Sequence, residues 1–136
     1  MRRDVADNLP VVGTASSAEL GARPGTDITT DPAGHVVLDG SGMSVAPRWR
    51  DLKVSRIPKR LRSKHPGAAG PNSSTCYALG AGPFQLGEAA PGLELIPDQG
   101  PPPITHGVLA PVQAIPLADY QTDLANTRAA WQEDEV

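Results

Sequence analysis

The stretch that decides the fold is Asp27-Ile28-Thr29-Thr30-Asp31-Pro32-Ala33-Gly34-His35-Val36-Val37-Leu38. Its two arms are rich in β-branched residues, and Asp31-Pro32-Ala33-Gly34 between them places Pro second and Gly fourth in a β-turn. A hairpin is predicted, which points to antiparallel pairing. Working outward, Asp39-Gly40-Ser41-Gly42 makes a further turn, and Met43-Ser44-Val45-Ala46 a short strand stopped by Pro47. Upstream, Leu9 to Gly13 is a short apolar piece. Ser16 to Gly21 reads as one helical turn, with Ser16 as cap and Glu19 three residues on.

Downstream the same strand-and-turn grammar continues. Thr75-Cys76-Tyr77-Ala78-Leu79 is a predicted buried strand ended by Gly80-Ala81-Gly82-Pro83. The Gly-x-Gly there is a turn, because Pro83 follows at once and the third glycine of a dinucleotide fingerprint is missing. Leu93-Glu94-Leu95-Ile96 alternates before Pro97, Gly100 to Pro103 forms a stiff polyproline-like connector, and His106 to Ala110 is a strand that Pro111 confines to an end or an edge. The last element is helical: Pro116 suits a first helical position, Asp119 complements the helix start, and Leu117, Tyr120, Leu124, Thr127 and Trp131 share one face. That face reads as core. Glu133 to Val136 reads as a frayed acidic tail.

Composition agrees with this pattern. Pro 15 and Gly 14 make 29 of 136 residues, about 21%, against roughly 12% in ordinary domains. An all-helical bundle is excluded. With only Trp49, Trp131, Tyr77, Tyr120 and Phe84 as large aromatic anchors, burial is confined to a few clusters. The chain is one domain, residues 1–136, without internal repeats. Within it, 47–70 is a basic irregular segment, since Pro58 interrupts any helical stripe, and 100–103 is the Pro-rich connector.

No run of about 18 apolar residues exists, so no membrane helix is predicted. The basic start is followed at once by Asp4 and Asp7, which argues against a secretory signal. Cys76 is the sole cysteine, which forbids an internal disulfide and makes a cytoplasmic setting the default. His35, His65 and His106 are too widely spaced for a metal site, so no metal is expected.

Charge is segregated. Arg48, Arg50, Lys53, Arg56, Lys59, Arg60, Arg62 and Lys64 are opposed within their segment only by Asp51, whereas the chain as a whole carries a net charge of -3. One reading is a solvated loop partly neutralised by the protein's own acidic half. Another is a receptor for an anion: an acidic protein, a dinucleotide or nucleic acid. Nucleic acid ranks last, because only Trp49 lies among these cations and the pI of about 5.5 is acidic.

No nucleophile motif stands out. Ser44 lacks the second glycine of a nucleophile elbow, and Cys76 sits in an apolar strand. His35 and His106 each open a predicted strand, where a histidine either orients a ligand or serves as a hydrogen-bonded structural residue.

The order Val11-Val12-Gly13, Leu20-Gly21-Ala22-Arg23, Asp27-Ile28, Gly34-His35-Val36, Gly42-Met43-Ser44-Val45-Ala46-Pro47, Thr105-His106-Gly107 and the closing Tyr120…Leu124…Trp131 resembles a group of small bacterial proteins. They are similar to the ADP-ribosyltransferase-like toxins delivered by type VI secretion. The resemblance implies an α+β fold around a split antiparallel sheet; joined to the residue pattern above, the expected fold is α+β, a small, mostly antiparallel split sheet of short strands with long irregular loops and one C-terminal helix. It also implies NAD as ligand, a cytoplasmic target and a neutralising, immunity-type partner protein. Carried onto this sequence, an N-terminal arginine, Arg2 or Arg3, would hold a phosphate and Ser44 would shape the nicotinamide pocket. With His106, which opens a predicted strand and could orient a ligand, the candidate cofactor-binding set is Arg3, Ser44 and His106, and Ser44 with Glu94, a lone acid between Leu93 and Leu95, are the catalytic candidates. The alternative class is a non-enzymatic accessory or assembly subunit, whose basic segment and Pro-rich stretches wrap a partner.

Overall fold

The computed structural model describes residues 1–81, 84 and 87–136, so the Gly82-Pro83 half of the expected turn lies outside the described residues. The elements in chain order are β1 (Met43–Val45), β2 (Tyr77–Leu79), β3 (Gly87–Ala90), β4 (Leu93–Pro97), β5 (Gly107–Pro111), α1 (Leu117–Asn126) and β6 (Trp131–Glu133). All pairings between them are antiparallel. Four strands form one sheet in the order β1-β5-β4-β3, and β2 pairs with β6 in a second, two-stranded sheet. The fold is therefore α+β, with the antiparallel strands divided between two sheets. No helix among the described residues is long and apolar enough to cross a membrane.

β5 is apolar along its length and buried throughout, because β1 and β4 flank it on both sides. Pro111 therefore ends a central strand opposite Leu93, and the edge position allowed by the sequence is not used. β3 was not predicted: Gly-Glu-Ala-Ala has little β-propensity, and it becomes a strand because the Pro91-Gly92 turn folds it back onto β4, with Gly92 at φ 78°. The hairpin at 27–38 forms its turn but not long arms. Gly34 N–H donates to Asp31 O (3.0 Å) and Asp31 N–H to His35 O (2.8 Å), while Thr30 bridges Val36. Val37 N–H carries the pairing one step further onto Thr29 O (2.9 Å), while Val36 N–H points the other way to Ile115 O (2.9 Å), so the second arm also supports the approach to α1. Ser16 to Glu19 likewise gives a capped turn and no helix.

α1 lies under the larger core, which gathers Leu20, Ala22, Ile28, Val36, Met43, Leu93, Leu109, Tyr120, Leu124 and Trp131. Tyr120 is its pivot. Its buried hydroxyl accepts from Met43 N–H (3.0 Å) and donates to Leu109 O (2.6 Å), stitching β1 to β5 where Gly42 brings the two backbones close. Burial pushes the Tyr120 phenol up to about 12, which keeps it a donor. Gln121 pairs with both backbone groups of Ala22, tying the irregular N-terminal segment to α1. The predicted stripe does not stay helical to its end. After a 3-10 turn at Arg128–Ala130 the chain extends, and Trp131 opens β6 while its indole N–H donates to the Thr127 hydroxyl at 2.9 Å.

The basic segment has a core of its own. Three 3-10 turns, Trp49–Asp51, Val54–Arg56 and Lys59–Leu61, bury Trp49, Ile57 and Leu61 together with Ala68 and Cys76. Gly70 returns the chain against the middle turn. Its N–H donates to Ile57 O at 2.8 Å, and a Cβ there would come within 2.8 Å of the Ser55 and Ile57 carbonyl oxygens.

Candidate functional site: a cavity between the sheets and the basic segment beside it

A cavity of about 670 Å³ opens between the two sheets. Met43, Leu95 and Leu109 line it from the larger sheet; Leu79 and Trp131 line it from the smaller one, with Cys76 just ahead of β2. The basic segment supplies a third wall with Arg48, Trp49 and Arg56. Its size and its mixture of apolar walls with few charges match those of small-molecule sites.

The expected site residues are distributed unevenly around it. Ser44 contributes to the cavity wall, and its hydroxyl makes no hydrogen bond with any described residue. Its cross-strand neighbour is Val108, so strand alternation turns its Cβ from the face that carries Met43 and Leu109. Glu94 is not on the wall. It stands directly opposite Glu88, which is, so β3 and β4 bring two carboxylates side by side with Glu88 the one at the cavity. Arg3 is exposed beside the N-terminal bridge to Pro10, and neither it nor His106 lines the cavity. His106 instead sits at the β4–β5 connection, with Nδ1 2.9 Å from both Asp98 carboxylate oxygens.

The basic segment is largely engaged within the chain. Arg60 grips the Glu135 carboxylate with both terminal nitrogens at 2.5 Å and also reaches Ser74 O. Lys64 donates to Glu135 O (2.7 Å), and Arg50 and the Trp49 indole donate to an oxygen of Val136 at 2.9 and 3.0 Å. The Arg50 guanidinium also lies 4.4 Å over the Trp49 ring, a cation–π contact. Arg48 pairs with Asp51, and Arg62 donates to Ala68 O. Lys53, Arg56 and Lys59 are left without a side-chain hydrogen bond or ion pair among the described residues. Lys53 and Lys59 are exposed; Arg56 is half-buried against the cavity.

The acid that answers this charge was missed by the sequence reading. Glu133 to Val136, expected to fray, instead begins as part of β6 and ends as a strap across the basic segment. Desolvation pushes the Glu135 carboxyl up, but its bonds to Arg60 and to Cys76 N–H outweigh that and hold it below the usual carboxylate range. Cys76, buried beside it, has its thiol pushed up to about 11 by desolvation and by the Glu135 charge, which leaves it a poor nucleophile. The signal that pointed to the strap was the charge segregation itself: a cationic middle and an anionic C-terminal half in one chain.

No protein-family model, no curated protein and no solved structure matches this chain.

Proposed function

We propose that the cavity between the two sheets binds a nicotinamide dinucleotide and that the protein is an ADP-ribosyltransferase-like, toxin-family protein acting on a cytoplasmic target. The observation that carries this reading is the cavity: about 670 Å³, walled by Trp49, Trp131 and aliphatic side chains, with two arginines, Arg48 and Arg56, among its lining residues. Flat apolar walls suit the rings of a dinucleotide, and guanidinium suits its diphosphate. Ser44, one of the residues that line the cavity, remains the candidate for the nicotinamide end of the ligand. Glu94 reaches the site only through Glu88, its cross-strand neighbour, so the carboxylate that would stabilise an oxocarbenium-like centre is the Glu88 side of that pair. A neutralising partner protein is the partner implied.

Binding is tested by titrating NAD while following tryptophan fluorescence, since both tryptophans line the cavity. Saturable binding with nicotinamide release, and growth arrest with falling NAD on induced expression in a bacterium, support the proposal. Absence of binding at millimolar NAD sinks it. The accessory-subunit reading is the weaker one, because five of the eight cations it relied on already have partners in the chain.

A further inference from the structure

We propose that Arg56 is the phosphate-binding residue of the cavity: its guanidinium receives a phosphate or diphosphate group of a ligand seated between the two sheets. The inference rests on reading the cavity as a nucleotide site, and it selects one residue from the eight cations of the segment.

Three observations single it out. Arg56 is the only one of these cations that both lines the cavity and lacks a hydrogen-bond or ion-pair partner among the described residues. Arg48 lines it too, but its head is spread on Asp51 at 3.0 Å and its side chain is 70% exposed. Second, the Arg56 backbone is fixed. It closes the 3-10 turn Val54–Arg56 with its N–H on Lys53 O (2.8 Å), the fully buried Ile57 follows it, and Gly70 packs on the backbone between Ser55 and Ile57. A half-buried stem on a fixed backbone loses little freedom when the head binds. Third, among the described residues no acid forms an ion pair or hydrogen bond with it. Asp27 feels the Arg56 charge, but its carboxylate is already held by the Arg23 backbone N–H and guanidinium at 2.8, 3.0 and 3.2 Å. The carboxylates that share the cavity wall, Glu88 and Asp134, make no bond to it. A half-buried arginine on a cavity wall, with its guanidinium donors left open by the described residues, suits an oxyanion in fork geometry.

The test titrates the full chain separately with inorganic pyrophosphate and with NAD, by calorimetry and tryptophan fluorescence, in wild type, Arg56→Gln and Lys59→Gln. Lys59→Gln removes the same charge from an exposed neighbour. Saturable pyrophosphate binding that weakens at least about tenfold in Arg56→Gln and stays within about twofold in Lys59→Gln supports the assignment, a tenfold loss corresponding to about one charge-assisted hydrogen bond. Equal binding to wild type and Arg56→Gln overturns it, as does an equal loss in Lys59→Gln, which would mean diffuse charge attraction. Failure of the two readings is distinguishable. NAD binding unchanged in Arg56→Gln would leave the dinucleotide site standing without this residue. Arg56-dependent pyrophosphate binding without NAD binding would leave the phosphate site standing without the dinucleotide. Unchanged melting curves identify the variants as folded, since the Arg56 side chain bonds to nothing that a fold defect would release.

Discussion

Behind the larger sheet, Leu20, Ile28, Leu93, Tyr120 and Leu124 are drawn from distant parts of the chain and sealed completely from solvent. Beneath the basic segment the core is Trp49, Ile57, Leu61, Ala68 and Cys76, most of it from one stretch of sequence, and its outer edge is closed by the Glu135–Val136 strap. The first core rests on apolar burial, which salt does not screen. The second adds to a smaller apolar cluster a set of charged bonds, which salt and acid both weaken. One small chain thus contains two regions whose stability answers to different conditions, and the cavity lies where they meet.

The contrast breaks first if the larger core proves dispensable. Leu124→Ala removes a fully buried side chain from α1 and should cost about 2–5 kcal/mol, read as a lower denaturant midpoint that is the same at low and high salt. A loss below about 1 kcal/mol would mean that α1 does not anchor the fold. Tyr120→Phe should cost somewhat less, about 1–3 kcal/mol. It strands Met43 N–H and Leu109 O in a buried place without their shared hydroxyl. A neutral result there would show the β1–β5 seam able to close without it.

Much of the first region is legible in the sequence. The i, i+3, i+4 spacing of Tyr120, Leu124 and Thr127 marked the helix, and the alternation around Glu94 and the apolar run after His106 marked β4 and β5. These signals survive because they are local periodicities imposed by burial on one face. What the sequence hides is pairing. β3 is a strand only because β4 offers it an edge, and Trp131 fits a helical stripe as well as it fits the first position of β6. Ser44 comes to the cavity wall because β1, legible as a strand, runs along it. Arg3 and His106 fall away from the cavity because nothing in a linear pattern says which loop ends meet in space. The cationic run that holds Arg56 was visible, but which of its eight charges stays open and which meets Glu135 was not, since that depends on which opposite charges the fold brings near.

The second region should respond to charge. Glu135→Gln removes the carboxylate that Arg60 grips at 2.5 Å, yet the Arg60 side chain is 38% exposed, so screening limits the cost to about 1 kcal/mol. That cost should shrink in 1 M salt, unlike the cost of Leu124→Ala. The pH dependence follows from the same bond. Glu135 has its folded carboxyl pKa lowered, so its contribution is fully present above the ordinary glutamate range and disappears as pH falls through the folded value. Wild type should therefore lose this increment on acidification and Glu135→Gln should not. Thiol labelling gives a local readout, because Cys76 is buried with its thiol pushed up to about 11 and its N–H bound to Glu135. Labelling at pH 8 should be slow in wild type and several-fold faster in Glu135→Gln, with Leu124→Ala adding to it only through global unfolding.

The smallest effect is the one that isolates the strap. Arg48 and Asp51 form an ion pair three residues apart at 3.0 Å, on the same segment and of the same chemistry as Arg60–Glu135, but Arg48 is mostly exposed. Such surface pairs contribute only a few tenths of a kcal/mol, so Arg48→Gln should leave the denaturant midpoint and the Cys76 labelling rate nearly unchanged. If it instead costs about as much as Glu135→Gln, the order of the basic segment comes from ion pairs within the segment, and the C-terminal strap is a passenger on a loop already folded. If it costs nothing while Glu135→Gln loosens Cys76, the acidic end of the chain is what closes the second core, and the charge segregation visible in the sequence is the two halves of one internal contact.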